Sequence, residues 1–405
     1  MLQKQGKPLF RESLRAAGTM HIIFWFSVVF ILYAYFGYPF MLAVMARIRN
    51  CPVKRDPGYL PSVTLIITVH NEEARIRQKI ANTKRIDYPL EGFEVLVASD
   101  ASTDSTESIV GEESDFSVVR SEQRLGKEHA QKLAVDQAKG EILVFSDVAT
   151  LLDPDAIRNI AANFADPSVG CVSSEDRFID ERGHVSGEGA YVKYEMMLRR
   201  LETKVCSLVG LSGSFFAARR DVCSNWQIDL QSDFNTLLNA VKQGFRGVSD
   251  PKSIGYYKNI SDQRKEFERK VRTIVRGLSV IMRNLSILNF FRYGIFSWEL
   301  FSHKLCRWLV PFFLLLAFTS NLALLSSSSI YTALFCGQLM FYSLAFLHFV
   351  LGSGASRRKE DRIRFRLRSL RAIPYYFFLV NAAMLLAWVK YFSGERNVYW
   401  EPSKR

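Results

Sequence analysis

Long stretches without charge constrain this chain more than any other feature. No Asp, Glu, Lys or Arg occurs in residues 16–46, 308–356 or 372–389. A helix needs about 20 apolar residues to cross the hydrocarbon core of a bilayer. The second stretch is long enough for two crossings, which the serines at 326–329 separate. The sequence therefore predicts about four transmembrane helices, the first over roughly 21–46 and the last over 373–389.

A soluble protein could bury one such stretch in its core, but three, one of them double length, favour a membrane protein. The first stretch is too long for the apolar part of a signal peptide and has no small-residue cleavage site after it. We interpret it as a retained anchor, with residues 1–50 forming the N-terminal tail and anchor.

The net charge of +13 is concentrated near the membrane helices. Residues 353–372 form a loop rich in arginine inside the segment 306–405, which otherwise holds three predicted transmembrane helices. Basic loops between such helices mark the cytoplasmic side and bind anionic lipids. Counting the crossings from this loop predicts that residues 51–285 lie in the cytoplasm. The chain is predicted to cross the plasma membrane several times. No nucleic-acid-binding motif accompanies the charge, so we expect no nucleic-acid partner.

Residues 286–305 are rich in aromatic side chains but also contain Arg292, Glu299 and Lys304. This mixture favours an interfacial helix over a spanning one. A core helix of the polar region is the alternative. The six cysteines have no paired or CxxC spacing, which is typical of reduced thiols in the cytosol.

The polar region alternates between strand and helix patterns. Apolar strands are predicted over 63–69, 93–98 and 141–145, with helices over 71–83 and 127–139 between them. This order predicts an α/β domain with a doubly wound, mostly parallel sheet. Ligands bind such sheets at the carboxyl ends of the strands, where residues 68–72, Asp100 and Asp147 lie.

Four short motifs follow one another at these positions: Thr-Val-His-Asn-Glu at 68–72, Ser-Asp-Ala-Ser-Thr-Asp at 99–104, Gly-Lys at 126–127 and Phe-Ser-Asp at 145–147. In this order they resemble inverting glycosyltransferase family 2, and in particular its membrane-embedded branch with the cellulose, hyaluronan and chitooligosaccharide synthases. The resemblance covers roughly residues 60–280 and implies a GT-A-like domain that binds a nucleotide-sugar. It implies that the donor, a UDP-sugar, contacts Thr68, Val69, His70, Glu72, Asp100, Lys127 and Asp147.

The same resemblance implies a Mg²⁺ or Mn²⁺ ion held by Asp147, where the Asp-x-Asp motif of the family begins. The chain departs from that motif because its third position is Ala149, and Ser99 replaces another family aspartate. The coordination of the ion is therefore left open. For Lys127, a solvated lysine at a helix start is the structural alternative.

Further matches lie downstream. Ser212, Gly213 and Ser214 resemble the acceptor-side loop of the family, with a glycine bulge in a strand as the alternative. Asp233, within Gln-Ser-Asp-Phe-Asn at 231–235, stands at the position of the catalytic base. An inverting transfer needs such a carboxylate to take the proton of the acceptor hydroxyl. An aspartate that caps the following helix is the alternative.

Residues 267–277 stand in the place of the Gln-x-x-Arg-Trp motif, with Arg272 at the arginine position. Arg269 and Thr273 replace the glutamine and the tryptophan, which leaves processive synthesis open. Arg269 and Arg272 are predicted to bind diphosphate, and binding of anionic lipid is the alternative.

The sequence thus predicts an inverting glycosyltransferase that acts on a polysaccharide or lipid-linked glycan at the cytoplasmic membrane face. Membrane lipids are expected partners, and an export partner or a homo-oligomer stays open. Two alternatives remain: a non-processive enzyme that adds one sugar to a lipid carrier, and an inactive scaffold subunit of a polysaccharide assembly. The losses at Ser99, Ala149 and Thr273 favour the scaffold, whereas the retained Asp100, Asp147 and Asp233 favour an enzyme.

Overall fold

The computed structural model describes residues 6–179, 190–258, 263–352 and 362–395. The chain forms two compact units. One, the helical unit, contains residues 1–39, 264–274 and 302–393, and the other, the sheet unit, contains residues 40–263, 275–301 and 394–405. Part of the basic loop predicted at 353–372, and most of the C-terminal tail, lie outside the described residues.

The sheet unit contains one eight-stranded sheet with the strand order β3-β2-β1-β4-β7-β6-β8-β5. The strands are β1 Val63–Val69, β2 Phe93–Ser99, β3 Ser117–Arg120, β4 Ile142–Asp147, β5 Leu151–Leu152, β6 Val169–Ile179, β7 Phe215–Arg219 and β8 Arg246–Lys258. Strands β3, β2, β1 and β4 are parallel neighbours, whereas β7 runs antiparallel to both β4 and β6. This arrangement confirms the predicted α/β class with a mostly parallel, doubly wound sheet.

Helices connect these strands on both faces of the sheet. They are α3 Glu73–Thr83, α4 Thr106–Gly111, α5 Lys127–Gln137, α6 Ala156–Ala161, α7 Ala190–Val205 and α8 Ser232–Lys242. Because both faces are covered, alternate side chains of one strand enter different cores: Leu65 and Ile67 lie in one apolar cluster, and Ile66 in the other. The continuous apolar run of β1 is the pattern that a strand buried on both faces requires.

The first helical stretch is continuous but changes its hydrogen-bonding pattern. It begins as α1 (Gly6–Leu32), passes through a π-helical turn (Tyr33–Gly37) and continues as α2 (Tyr38–Ile48). The later helices are α9 Gln263–Arg283, α10 Phe290–Tyr293, α11 Ile295–Leu300, α12 Arg307–Ala323, α13 Ser329–Gly352 and α14 Arg362–Phe392.

Four helical stretches in the described residues are long and apolar enough to cross a membrane, as predicted: Gly18–Ile48, Ile295–Ala323, Ser329–Val350 and Ile373–Phe392. Large apolar side chains such as Phe26, Phe346 and Phe378 are exposed on them. Within the helical unit, the hydroxyl of Tyr331 contacts Nδ1 of His21 at 2.7 Å and accepts a hydrogen bond from Nε1 of Trp25 at 3.1 Å.

The segment 286–305 is not one helix. It contains a 3-10 turn, the short helices α10 and α11, and a π-helical turn at Phe301–Cys306 that leads into α12. Gly294, at φ +55°, lies between the two short helices, a left-handed conformation that glycine adopts without a steric penalty. The apolar stretch that could span a membrane begins at Ile295. The interfacial position of this segment stays a prediction.

Candidate active site

Residues from three neighbouring strands meet at one edge of the sheet. In the register of the parallel strands, Thr68 pairs with Asp147, and Val69 pairs with Ser99, the residue before Asp100. Neighbouring strands lie about 4.8 Å apart, so β2 and β4, on either side of β1, place their ends about 10 Å apart. The structure therefore brings the predicted donor-binding residues of these three strands to one edge.

Asp100 is fully buried, and its carboxylate is held by backbone groups. Oδ1 accepts hydrogen bonds from the N–H groups of Leu125 at 2.9 Å and Gly126 at 3.0 Å. Gly126 has φ +101° and directly precedes α5, so this carboxylate fixes the turn from which α5 starts. The predicted contact of Asp100 with the donor base and ribose stays a prediction.

His70 and Glu72, which follow β1, are both buried. Nδ1 of His70 lies 2.7 Å from the carbonyl oxygen of Asp100. The carboxylate of Glu72 accepts two hydrogen bonds from Arg75, at 2.6 and 2.7 Å. Burial raises the pKa of Glu72, Arg75 lowers it, and the nearby carboxylate of Asp147 raises it further. In this arrangement Glu72 stabilises the start of α3.

Lys127 joins two parts of the site that are distant in the sequence. It is the first residue of α5, and its ammonium lies 2.5 Å from Oδ1 of Asp147 and 3.1 Å from the carbonyl oxygen of Gly213. The side chain is largely buried. The solvated lysine considered as the alternative is therefore not observed. A cation at this position can stabilise the negative charge of a bound diphosphate.

Asp233 lies in the first turn of α8, on the other side of the loop that contains Gly213. A Cβ atom on Gly213 would come within 3.1 Å of Oδ2 of Asp233, which also accepts a hydrogen bond from Nε2 of Gln231. Gln231 occupies the N-cap position of α8, so Asp233 is not the cap residue. The charge of Lys127 acts on Asp233, and its ammonium bonds Asp147 and the carbonyl oxygen of Gly213. The two predicted carboxylates therefore belong to one site.

The pKa of the Asp233 carboxyl is raised, mainly because the group is buried. The positive charges of Lys127 and Arg276 lower this pKa, and the negative charge of Glu128 raises it. Arg276 and Glu128 form an ion pair with each other. A raised pKa makes a carboxylate a better proton acceptor, which suits a general base.

Asp176, a carboxylate of β6 that was not predicted from the sequence, joins this site. Its two oxygens accept hydrogen bonds from the hydroxyls of Ser212 at 2.6 Å and Ser214 at 2.9 Å. Burial raises its pKa, while Ser212 and Arg199 lower it. Asp176 thereby fixes the loop whose middle residue, Gly213, faces the carboxylate of Asp233. Its strand, β6, also contains Ser173, Ser174 and Arg177, so no local pattern marks Asp176 as a site residue.

Arg269 and Arg272 lie on α9. The guanidinium of Arg269 donates two hydrogen bonds of 2.9 Å to the carboxylate of Glu266 on the same helix. Thr273, at the tryptophan position of the family motif, donates its hydroxyl to the carbonyl oxygen of Arg269 at 2.9 Å. The diphosphate contact of the two arginines stays a prediction.

The residues present suit a divalent metal only in part. Carboxylate oxygen is the ligand that Mg²⁺ and Mn²⁺ prefer, and Asp147 supplies one carboxylate at the centre of the site. In the part of the chain that the structure describes, no three His, Cys, Asp or Glu side chains are arranged to hold a metal ion. Proteins commonly bind Mg²⁺ through one or two carboxylates together with substrate phosphates. The site therefore fits an ion whose remaining ligands come from the bound donor and water.

Residues 64–226 match the model of glycosyl transferase family 2. Among curated proteins, the chain is 26% identical over 244 residues to a beta-monoglucosyldiacylglycerol synthase of Nostoc sp., which covers 57% of this chain and 52% of the relative. It is 24% identical over 181 residues to a poly-beta-1,6-N-acetyl-D-glucosamine synthase of Staphylococcus aureus, covering 42% and 43%. The chain thus spans about half the length of the curated relatives it matches.

Among solved structures, the chain is similar to a mannosyltransferase from Pyrobaculum calidifontis, determined in complex with GDP-Man and Mn²⁺. The TM-score is 0.69 at 23% identity, and the match covers 92% of this chain and 99% of the other. At this identity the likeness concerns the fold.

Proposed function

We propose that the chain is a glycosyltransferase, because residues 64–226 match the model of glycosyl transferase family 2. In this proposal it transfers the sugar of a nucleotide-sugar, a UDP-sugar, with inversion of the anomeric carbon. The acceptor is a polysaccharide or a lipid-linked glycan at the cytoplasmic face of the membrane. The observation that carries this proposal is the arrangement of Asp233, Gly213, Lys127 and Asp147, in which one buried carboxylate lies beside a cation and a second carboxylate.

In the proposed reaction the acceptor hydroxyl attacks the anomeric carbon in line with the departing nucleoside diphosphate. The new bond joins the acceptor oxygen to this carbon, and the bond from the carbon to the phosphate oxygen breaks. Asp233 takes the hydroxyl proton, which its raised pKa favours. Lys127 stabilises the negative charge of the leaving diphosphate. Asp147 would hold a Mg²⁺ or Mn²⁺ ion, which would neutralise part of that charge.

Nucleotide-sugar hydrolysis by the purified full-length chain tests this function. A panel of UDP-sugars and GDP-sugars is incubated with Mn²⁺ or Mg²⁺, and the released nucleoside diphosphate is measured. We expect one donor to turn over and Asp233→Asn to lose activity. Asp136→Asn is the matched control, because Asp136 is exposed on α5 and pairs with Lys132 of the same helix. If folded wild-type protein turns over no donor, the inactive scaffold is the better account.

A single-sugar transfer to a lipid is the second candidate. The curated relative from Nostoc sp. is named for a glucosyldiacylglycerol product. Thr273 replaces the tryptophan that helps polymerising members to bind a growing chain, which favours non-processive transfer. Product size separates the two candidates: mass spectrometry of the extracted lipid detects one added sugar in the second and a ladder of sugars in the first.

The proposed membrane position of the sheet unit is supported by the short helix α10. The aromatic ring of Phe291 is completely exposed, Phe290 is more than half exposed, and Arg292 follows them. Exposed aromatic rings beside a basic side chain are typical of segments that lie in the headgroup region of a bilayer. We propose that this segment contacts lipid while the sheet unit lies in the cytoplasm.

A further inference from the structure

Lys79 is a lysine with no solvent exposure, located on α3 beneath the end of β4. Its ammonium donates hydrogen bonds to the hydroxyl oxygen of Ser146 at 2.7 Å and to the carbonyl oxygen of Thr150 at 2.5 Å. These two acceptors lie on either side of Asp147. Lys79 therefore binds both sides of the turn that contains Asp147.

Asn82 lies three residues further along α3 and forms hydrogen bonds with Leu152, which follows the same turn. Its Nδ2 donates to the carbonyl oxygen of Leu152, and its Oδ1 accepts from the N–H of Leu152, both at 2.8 Å. Residues three apart lie on one face of a helix. Lys79 and Asn82 together therefore fasten the segment from Ser146 to Leu152 to α3 at both of its ends.

A buried lysine is energetically unfavourable beneath β4 if its hydrogen bonds serve only a structural role. Burying an ammonium is far more expensive than burying a neutral donor, which could bond the same two oxygens. Burial lowers the pKa of Lys79 to about 7, while the carboxylate of Asp147 raises it. Lys79 reaches the Asp147 turn from the face of the sheet that α3 covers, whereas Lys127 begins α5 on the other face.

We propose that Lys79 and Asn82 are positioning residues of the donor site, which hold the Asp147 turn in the geometry that accepts a nucleoside diphosphate. The inference rests on the proposed function, because it assigns the diphosphate to Asp147 and Lys127. Neither residue needs to touch the donor.

Nucleotide affinity measured by titration calorimetry tests this proposal. Full-length wild type, Lys79→Met and Asn82→Ala are titrated with UDP, GDP, UMP and GMP in the presence of MnCl₂. We expect both variants to bind the preferred diphosphate about tenfold or more weakly, as loss of an interaction of about 1.4 kcal/mol gives. The affinity for the matching monophosphate should change much less, because a monophosphate lacks the group that this turn is proposed to position.

Two matched variants control for general loosening of the fold. Lys242→Met removes an exposed lysine that bonds Asn284, and Asn239→Ala removes an amide that donates to the carbonyl oxygen of Asn225 at 3.0 Å. Both should leave the ratio of diphosphate to monophosphate affinity unchanged. If Lys79→Met does not fold, Asn82→Ala alone decides the question.

The proposal is overturned if the folded variants bind diphosphate as wild type does, or if diphosphate and monophosphate affinities fall equally. The second result would show a structural role only. If wild type itself binds no nucleoside diphosphate, the failure is that of the proposed function. The two failures are therefore distinguishable in one set of titrations.

Discussion

The ammonium of Lys127 lies 2.5 Å from Oδ1 of Asp147, although 20 residues separate the two in the chain. The pair joins the start of α5 to the end of β4, and the same ammonium bonds the carbonyl oxygen of Gly213 beside Asp233. Charge-assisted hydrogen bonds are stronger than neutral ones, especially where water is excluded. Lys127 therefore holds the donor side and the acceptor side of the proposed site together.

Replacement of Lys127 by methionine should remove this link. We expect kcat/KM for nucleotide-sugar hydrolysis to fall about a hundredfold, the effect of losing an interaction of about 3 kcal/mol. Lys132→Met is the control, since Lys132 lies one turn along α5 and pairs with the exposed Asp136. Activity within a factor of two of wild type would contradict the role given to Lys127.

The pH dependence of the reaction should respond in opposite directions to two substitutions near Asp233. The base works when deprotonated, so activity is lost as the pH falls through its raised pKa. Arg276→Gln removes a positive charge that lowers this pKa and should move the acid limb of kcat/KM to higher pH. Glu128→Gln removes a negative charge that raises the pKa and should move the limb to lower pH.

The double variant is the control for this pair, because it removes both charges of the ion pair at once. Its acid limb should lie between those of the single variants. Shifts in the same direction, or none, would mean that Asp233 does not set the acid limb. The profile is measured at donor concentrations well below KM, so that it reports the free enzyme.

Asp176→Asn should affect the acceptor more than the donor. The change keeps the size of the side chain but replaces one of the two oxygens that accept from Ser212 and Ser214 with an NH₂ group. The loop around Gly213 then keeps only one of its two hydrogen bonds to this side chain. We expect transfer to acceptor to fall about tenfold, since an unmade buried hydrogen bond costs about 1–3 kcal/mol. Donor hydrolysis should fall less. An equal loss of transfer and hydrolysis would refute an acceptor-side role.

The sheet and its ligand-binding edge could be predicted from the sequence because the strands are apolar runs followed by polar residues. Strand β1 was predicted with the bounds that the structure has, and Asp147 was placed at the end of β4. These features depend on local pattern and on the parallel order of strands. The order of the motifs along the chain provided the remaining predictions of site residues.

The positions of Lys79 and Asp176 could not be predicted, because they depend on packing between distant segments. A lysine in a polar helix normally points to solvent, and no local pattern marks Lys79 as fully buried. Asp176 meets Ser212 only through the register of β6 with β7. The break at Gly294 was also missed, since a lone glycine in an aromatic segment is compatible with a continuous helix.

Ala149→Asp should strengthen metal dependence, because it restores the second carboxylate of the family motif. In the structure Oδ1 of Asp147 is engaged by Lys127, so a metal ion competes with an ammonium for the single carboxylate that this turn provides. Ala149 is half-buried in the same turn, where a new carboxylate would lie two residues from Asp147. Additional ligand charge tightens the binding of hard cations. We expect the Mn²⁺ concentration for half-maximal donor hydrolysis to fall about tenfold, which corresponds to about 1.4 kcal/mol.

Ala149→Asn adds a side chain of the same size without the charge and should shift the Mn²⁺ requirement much less. If both variants have the Mn²⁺ dependence of wild type, position 149 does not face the metal, and the ion is held by Asp147 and the donor alone.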